Sequence, residues 1–284
     1  MADLLELSAE IRATDPDAAA AARAGLPAGG GRLAQLGEWL AAGTGRWPAT
    51  PRRVRLVSTA PLPSAVLELA GQAGVGQRDL ATGPDALDAG VQAADDEIDA
   101  GTDLVLLAAD DPGPAPAVVI ALITGAEPVS LLPRGAAVTD SSAWIAAAVE
   151  LRDRLRRSRP LRHQPGALLA ELASPALAAA CGFLLRAAAR RTPLVLDGSA
   201  AVAAALLAAD LRPRAGQWWQ VADTAGDPVQ ARALQHLGVR PVLDLAAGTG
   251  SGLAALLALS VLRAAPALDA PQPRSTSAPE VVDE

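Results

Sequence analysis

Two segments in the C-terminal third of the chain contain residues that could take part in catalysis or ligand binding. Asp197 and Asp244 each end a short apolar run of the kind that forms a buried strand. In α/β proteins, ligands and reacting groups gather at the carboxyl ends of parallel strands, so both carboxylates are candidate site residues. A strand-end aspartate caps the turn that follows it at least as often, and that structural role stays open for both.

A glycine-rich turn follows the second of these aspartates. It contains Gly248, Thr249, Gly250 and Ser251 and stands directly before the last helical stretch. Glycines allow a ligand to approach the backbone closely, and N–H groups and hydroxyls at the start of a helix bind anions. We therefore expect these four residues, together with Asp197 and Gly198 on the neighbouring strand, to form a ligand-binding set. A plain structural turn is the alternative, because a Gly-Thr-Gly turn alone is a weak signal.

The elements that must position these residues alternate along the chain. Helical stretches of ten or more residues separate most of the short apolar runs, which indicates parallel strands joined by crossover helices. The predicted strands are residues 54–58, 104–108, 128–132, 193–196, 218–222 and 241–245. We predict an α/β fold, a three-layer sandwich around a mostly parallel sheet with a small N-terminal helical lobe. The corresponding regions are a helical segment at 1–50, an α/β domain at 51–265 and a disordered tail at 266–284.

Composition excludes several classes of function. The net charge of −7 argues against nucleic acid as a partner, since nothing would neutralise a phosphate backbone. The chain has no lysine and no tyrosine, so Schiff-base lysine, P-loop lysine and tyrosine acid catalysis are unavailable. Cys181 lies in an apolar run and is expected to be a buried, inert thiol. With one cysteine and two histidines, His163 and His236, we expect no metal site, and no cofactor is implied.

Targeting signals are not evident in the chain. Its N-terminus lacks the basic and apolar regions of a signal peptide, and its apolar runs fall short of the roughly 18–20 residues that span a bilayer. We therefore expect a cytoplasmic protein with no membrane partner.

The two chemical segments also carry a resemblance to a known family. Residues 190–198 and 244–252, with landmarks at 26–36, 94–104 and 125–129 in the same order, resemble the nicotinate-nucleotide:dimethylbenzimidazole phosphoribosyltransferases. Those enzymes build the lower-ligand nucleotide of cobalamin. Their second loop reads Gly-Glu-Gly-Thr-Gly-Ala, and its glutamate is the catalytic base. Ala247 holds that place here.

The sequence departs from the family pattern at the positions of the family's phosphate-binding and catalytic residues. The phosphate-binding Gly-x-Gly-Asn-Thr-Thr loop corresponds to residues 110–116, which contain two aspartates and three prolines. Prolines donate no amide hydrogen bond, and carboxylates repel a phosphate. Of the carboxylates that could serve as a displaced base, Asp197, Asp227, Asp244 and Glu127 remain.

Three functions follow from this pattern. The favoured one is a catalytically degenerate member that binds a nucleotide or an aromatic base, as a homodimer or as a heteromer with an active paralogue. The alternative is an active phosphoribosyltransferase with a displaced base. The third is an α/β protein with an unrelated small-molecule ligand.

Overall fold

The protein is described by a computed structural model that covers residues 2–134, 140–224, 226–248 and 250–268. These residues contain one sheet of five parallel strands in the order β2-β1-β3-β4-β5. The strands are β1 Val54–Ser58, β2 Gly76–Asp79, β3 Leu104–Ala108, β4 Leu194–Asp197 and β5 Trp219–Val221. The α/β fold that the sequence predicts is confirmed.

Helices connect and cover the strands. Short 3-10 turns supplement them at Pro128–Leu131, Arg159–Leu161, Pro213–Trp218 and Ala265–Leu268. The α-helices of the described residues are α1 Leu4–Glu10, α2 Pro16–Gly25, α3 Gly31–Thr44, α4 Ser64–Gln72, α5 Ala86–Asp99, α6 Ala115–Thr124, α7 Ser141–Ser158, α8 Pro165–Leu172, α9 Pro175–Ala189, α10 Ser199–Leu211, α11 Pro228–Leu237 and α12 Leu253–Ala264.

Side chains of the central strand β3 pack against helices on both faces of the sheet, which gives the fold its three layers. Leu104 and Leu106 pack in one core cluster, with α2, α3, α4 and α12, while Val105 and Leu107 pack in the other, with α5, α6, α9 and α10. All four side chains are fully buried. A strand covered on both faces is apolar along its whole length, and this is why the run is visible in the sequence.

The N-terminal helical segment divides between the two faces. Leu4 and Leu7 of α1 belong to the cluster of α9 and α10, whereas Leu36 and Leu40 of α3 belong to the cluster of α12. The three helices are therefore built into the outer layers of the α/β domain and share its two cores.

Two of the predicted strands are wrong. Within residues 128–132, Pro128–Leu131 form a 3-10 turn. Pro128 has no N–H for a strand ladder, and Leu131 is the one buried residue of the turn. Residues 241–245 run beside β5 but are not a strand. Val242 and Leu243 donate consecutive N–H groups to Val221 and Ala222 at 2.8 Å, whereas successive N–H groups of a strand alternate in direction.

Strand β2 was not predicted. Its sequence Gly-Gln-Arg-Asp is polar, and its side chains alternate between half-buried and exposed at the edge of the sheet. Pairing with β1 specifies this strand, and a polar edge strand leaves no apolar run to find.

The remaining expectations concern the thiol, the tail and the membrane. Cys181 is buried on α9, as expected, and burial raises its pKa to about 12, which disfavours the reactive thiolate. The predicted tail begins with the turn Ala265–Leu268, and residues 269–284 lie outside the described part of the chain. None of the described helices is both long and apolar enough to cross a bilayer.

Candidate functional site

Three aspartates lie at the carboxyl edge of the sheet. Asp197 ends β4, while Asp110 and Asp223 each follow a strand by two residues, after β3 and β5. Because the strands are parallel and neighbouring, this edge is where an α/β protein assembles a site.

Asp197 is buried beneath the glycine-rich loop. It is 3% exposed, and its Oδ1 accepts the N–H of Gly250 at 2.9 Å. Its Oδ2 has no hydrogen-bond partner among the described residues. Burial, reinforced by the charge of Asp110, raises the pKa of Asp197 to about 6, although backbone N–H groups of the loop oppose the change.

Two glycines allow the loop to approach the strands. A Cβ on Gly198 would lie 2.3 Å from the carbonyl oxygen of Ala109, and one on Gly250 would lie 2.2 Å from Cβ of Asp110. Both glycines also have positive φ angles, 109° and 63°. The expected juxtaposition of Asp197, Gly198 and Gly250 is therefore present, but as tight packing of protein against protein.

Asp223 holds the first half of the same loop. It is 3% exposed, and its carboxylate accepts the N–H groups of Thr224 at 2.8 Å, Leu245 at 3.0 Å and Ala247 at 2.7 Å. Burial favours the neutral acid, but the backbone N–H groups outweigh it and hold the pKa of Asp223 below its ordinary value. Sequence reasoning missed this residue, although it follows an apolar run just as Asp110 does.

The predicted anion-binding loop thus uses part of its backbone internally. The N–H groups of Leu245, Ala247 and Gly250 all donate to carboxylates of the chain itself. Ser251 Oγ accepts the N–H of Leu253 at 3.4 Å, and Gly248 is exposed. Thr249 lies outside the described residues.

The N-terminus of α10 also donates hydrogen bonds to a carboxylate of the protein itself. Ser199 donates its N–H at 3.0 Å and its Oγ–H at 2.5 Å to Oδ1 of Asp110. A helix N-terminus favours a negative group, and here the protein supplies one from the end of β3.

A cavity of about 900 Å³ lies beside this edge. Leu131, Leu132 and Leu151 form part of its wall, and the 110–116 loop lies along it. The loop is anchored by Asp111, which accepts a hydrogen bond from Ser174 and the N–H of Gly113. The charged side chains among the described lining residues are Asp110, Asp111, Glu150, Asp227 and Arg134. Glu150 is paired with Arg154 at 3.3 Å, and the remaining three carboxylates against one guanidinium leave the cavity acidic.

One predicted base lines this cavity. Asp227 is the N-cap of α11 and accepts the N–H of Val229 at 3.0 Å. Burial raises its pKa, as does the charge of Asp110, while the N–H groups of Val229 and Gln230 oppose the rise.

The other predicted site residues are not among the described residues that line the cavity. These are Asp197, Gly198, Asp244, Ala247, Gly248, Gly250 and Ser251. Asp244 is exposed and accepts a hydrogen bond from Thr224 Oγ1 at 3.3 Å. Glu127 is exposed as well. No group of three or more His, Cys, Asp or Glu side chains suited to a metal occurs within the described ranges.

Sequence comparisons identify the family. A family model described as phosphoribosyltransferase matches residues 80–273. The nicotinate-nucleotide–dimethylbenzimidazole phosphoribosyltransferase of Mycobacterium ulcerans is 40% identical over 271 residues, which make up 90% of this chain and 72% of that protein. The chain belongs to this phosphoribosyltransferase family.

Other relatives in the phosphoribosyltransferase family match a shorter region. Those of Streptomyces avermitilis and Mycobacterium tuberculosis, with the same name, are 42% and 44% identical over 187 and 184 residues. These regions cover 65% and 63% of this chain, and 50% of each relative. The chain therefore spans about half the length of these curated relatives.

Solved structures of the family share the fold. CobT from Thermus thermophilus superposes with a TM-score of 0.71 at 24% identity, covering 93% of this chain and 96% of that one. A second structure, of the phosphoribosyltransferase from the same organism, gives 0.69 at 25% identity and covers 89% and 96%.

The sequence resemblance aligns Ala247 with the phosphoribosyltransferase family's glutamate, and this alignment stays a prediction. The residue is half-buried, and its N–H donates to Asp223. Its methyl group has no proton to give or take.

Proposed function

We propose that this chain binds a small molecule at the carboxyl edge of its sheet but transfers no phosphoribosyl group by itself. The acidic cavity carries the proposal. Nicotinate mononucleotide bears a phosphate and a carboxylate, and each needs cationic or N–H donors to replace water. Four carboxylates and a single arginine, Arg134, line the described part of the cavity and disfavour such a ligand. An uncharged aromatic base such as dimethylbenzimidazole meets no such repulsion.

The distribution of backbone N–H groups supports the same conclusion. The start of α10 donates to Asp110, and the glycine-rich loop donates to Asp197 and Asp223. In the 110–116 loop, three prolines have no N–H at all. Among the described residues, several of the places where this fold offers anion donors are therefore filled by carboxylates of the protein or lack donors.

The missing base is a separate obstacle. A proton must leave the attacking nitrogen of the base, and a positioned carboxylate contributes roughly 10²–10⁴-fold to such a step. Ala247 supplies none.

The test measures turnover and binding separately. The purified protein is incubated with nicotinate mononucleotide and dimethylbenzimidazole, at protein concentrations comparable to substrate, and nicotinate is measured by chromatography. We expect no nicotinate above background, and calorimetry should show binding of the base without binding of the nucleotide. Nicotinate release by the protein alone would overturn the proposal.

One observation favours the alternative of an active enzyme. Asp227 lines the cavity and has a raised pKa, so it is the best placed of the predicted bases. Asparagine is as good an N-cap as aspartate, and Asp227→Asn should leave the fold intact. If the wild type releases nicotinate and this variant loses at least about a hundredfold in rate, Asp227 is the base.

We further propose that the chain pairs with a second copy or with a complete member of the family. Sedimentation of the chain alone and mixed with a family enzyme that retains the glutamate tests this pairing. A mixed complex with altered nicotinate release supports a heteromer, a dimer of the chain alone supports a homodimer, and monomers in both samples refute both.

A further inference from the structure

A second cavity lies between the end of α6 and helix α11. It has a volume of about 700 Å³, and residues of the turn that follows α6, from Gly125 to Ser130, form one side of it. Arg134, Pro228 and Ala231 line both this cavity and the acidic one, so the two cavities are neighbours. The volume falls in the range of roughly 300–1,000 Å³ that is typical of small-molecule sites.

Arg232 of α11 connects the two sides of the second cavity. Its Nη2 donates to the carbonyl of Thr124 at 3.3 Å, and its Nε donates to Thr124 Oγ1 at 3.4 Å, at the end of α6. Its Nη1 donates to Oε1 of Gln235 at 3.0 Å, and Gln235 also lines the cavity. These contacts hold the guanidinium beside the cavity, and the side chain is half-buried, so solvent and ligands can reach it.

The three hydrogen bonds leave part of this guanidinium available. A guanidinium has five N–H groups, so two of those of Arg232 have no acceptor in the part of the chain that the structure describes. All three acceptors are uncharged, and Arg232 forms no ion pair with a described residue. Its contact with the last carbonyl of α6 stabilises that helix end but does not neutralise the charge with a carboxylate.

Arg134 adds a second cation to the same cavity. It is exposed and has no hydrogen bond or ion pair with any described residue. Glu127 is the one carboxylate among the described lining residues, and it is exposed as well. Two guanidinium groups against one carboxylate make the second cavity positive, whereas the cavity beside it is acidic.

Other arginines show that carboxylate partners are not scarce in this protein. Arg157 and Arg162, on α7 and just after it, pair with carboxylates at 3.2 and 2.6 Å, and Arg186 on α9 does so at 2.8 Å. The whole chain has 31 aspartates and glutamates against 24 arginines. Arg134 and Arg232 therefore stand out as two cations without an anionic partner at one described cavity.

We propose that the second cavity binds a small oxyanion of the phosphate type through Arg232 and Arg134. Guanidinium N–H groups form charge-assisted hydrogen bonds to phosphate oxygens, and the planar fork of arginine matches the spacing of two such oxygens. A hydrogen-bonded guanidinium has already lost part of its side-chain freedom, so binding at Arg232 costs less entropy than binding at a fully mobile side chain.

The proposal is independent of the function proposed for the acidic cavity. Nicotinate mononucleotide carries a phosphate, and Arg232 lines the second cavity without lining the acidic one. Weak binding of the nucleotide that is lost in Arg232→Gln would therefore support the second cavity as an oxyanion site and leave the function proposed for the acidic cavity unchanged.

Inorganic phosphate is the probe for the test. It is titrated into the full-length protein labelled with ¹⁵N at constant ionic strength, with chloride as the reference anion, and the backbone amide signals of Gly125, Ala126 and Ala231 are followed. Two charge-assisted contacts correspond to a dissociation constant of about 1 mM. We expect saturable movement of these signals with phosphate and no saturable movement with chloride.

Four variants change the charge of the protein by one unit each. Arg232→Gln and Arg134→Gln should each weaken phosphate binding at least about fivefold, because each removes a cationic donor. Arg134 has no partner among the described residues, so its variant should fold even if Arg232→Gln does not. Arg156→Gln is the matched control: Arg156 is exposed on α7 and forms no ion pair with a described residue, but it does not line the cavity. Glu127→Gln should strengthen binding about threefold, because it removes the one described carboxylate of the cavity.

The outcomes separate a specific site from a general effect of charge. Weaker binding in the two cavity variants, wild-type affinity in Arg156→Gln and tighter binding in Glu127→Gln support the site. Equal movement with phosphate and chloride, wild-type affinity in Arg134→Gln or in folded Arg232→Gln, or a loss in Arg156→Gln as large as in the cavity variants would overturn the proposal.

Discussion

Replacing Asp197 with asparagine should stabilise the protein at alkaline pH and have little effect at acidic pH. The carboxyl is 3% exposed, one of its oxygens is unpaired in the described structure, and its pKa is raised to about 6. Ionisation is therefore more costly in the folded protein than in the unfolded chain. Asparagine keeps an acceptor for the N–H of Gly250 and removes the charge.

The magnitude follows from the pKa. A change from 3.8 to about 6 is worth about 3 kcal/mol, since each pKa unit is worth about 1.4 kcal/mol. Asparagine gives up a charge-assisted hydrogen bond, which costs about 1 kcal/mol. The net gain for Asp197→Asn should be about 2 kcal/mol at pH 8.

The pH dependence has a definite sign. Below pH 3.8 the carboxyl is protonated in both states and the penalty is absent; as the pH rises towards 6, the unfolded chain ionises first and the folded state loses relative stability. The advantage of Asp197→Asn over the wild type should thus develop between about pH 4 and pH 6.

Urea unfolding followed by tryptophan fluorescence, at pH 4 and pH 8, measures this difference. Asp223→Asn is the matched control, because Asp223 is equally buried at the same edge but has a lowered pKa. Its carboxylate stabilises the fold above the unfolded pKa, so this variant should lose about 2–3 kcal/mol at pH 8. A loss of stability in Asp197→Asn at pH 8, or a difference from the wild type that is equal at both pH values, would refute the reasoning.

Three further predictions concern other parts of the molecule. Gly182→Ala should lower the free energy of unfolding by about 1–3 kcal/mol, because the added Cβ would lie 2.1 Å from a carbonyl oxygen of α5. Gly71→Ala is the neutral control in the same urea assay, since a Cβ added at Gly71 would have no atom within 4 Å. Glu97→Gln should cost about 1–3 kcal/mol, since the buried carboxylate accepts a 2.6 Å hydrogen bond from Arg55, and urea unfolding again measures it. Ala247→Glu should not restore nicotinate release, because the donors for phosphate remain occupied; release by this variant would show that the base was the one missing part.

The sequence predicts best the elements whose signal is local. Strands β1 and β3 begin and end where predicted. Strand β3 is a continuous apolar run, and β1 has apolar residues at three of its five positions. Strand β2 was missed because its polar residues pair at an edge, which is a non-local interaction. The run at 241–245 was misread because apolar residues beside β5 satisfy the same pattern without forming a ladder.

The candidate site divides in the same way. The position of Asp197 at a strand end follows from the sequence, as does its proximity to a glycine-rich loop. The hydrogen bond between Asp197 and Gly250 does not follow from the sequence. No local pattern indicates whether the N–H of Gly250 donates to a ligand or to a carboxylate 53 residues away. Asp223, which holds the same loop, was missed for that reason.

The contrast between Asp197 and Asp223 supports the proposal that a new base alone would not give an active enzyme. Both carboxylates are buried at one edge and both bind the same loop. Asp223 accepts three N–H groups, whereas one oxygen of Asp197 has no partner among the described residues, and the two pKa values move in opposite directions. An N–H group that donates to one of these carboxylates cannot at the same time donate to a bound anion. Asp110 removes a further pair of donors at the start of α10. Under the proposed function, the contacts that hold the loop in place would therefore also weaken its affinity for phosphate.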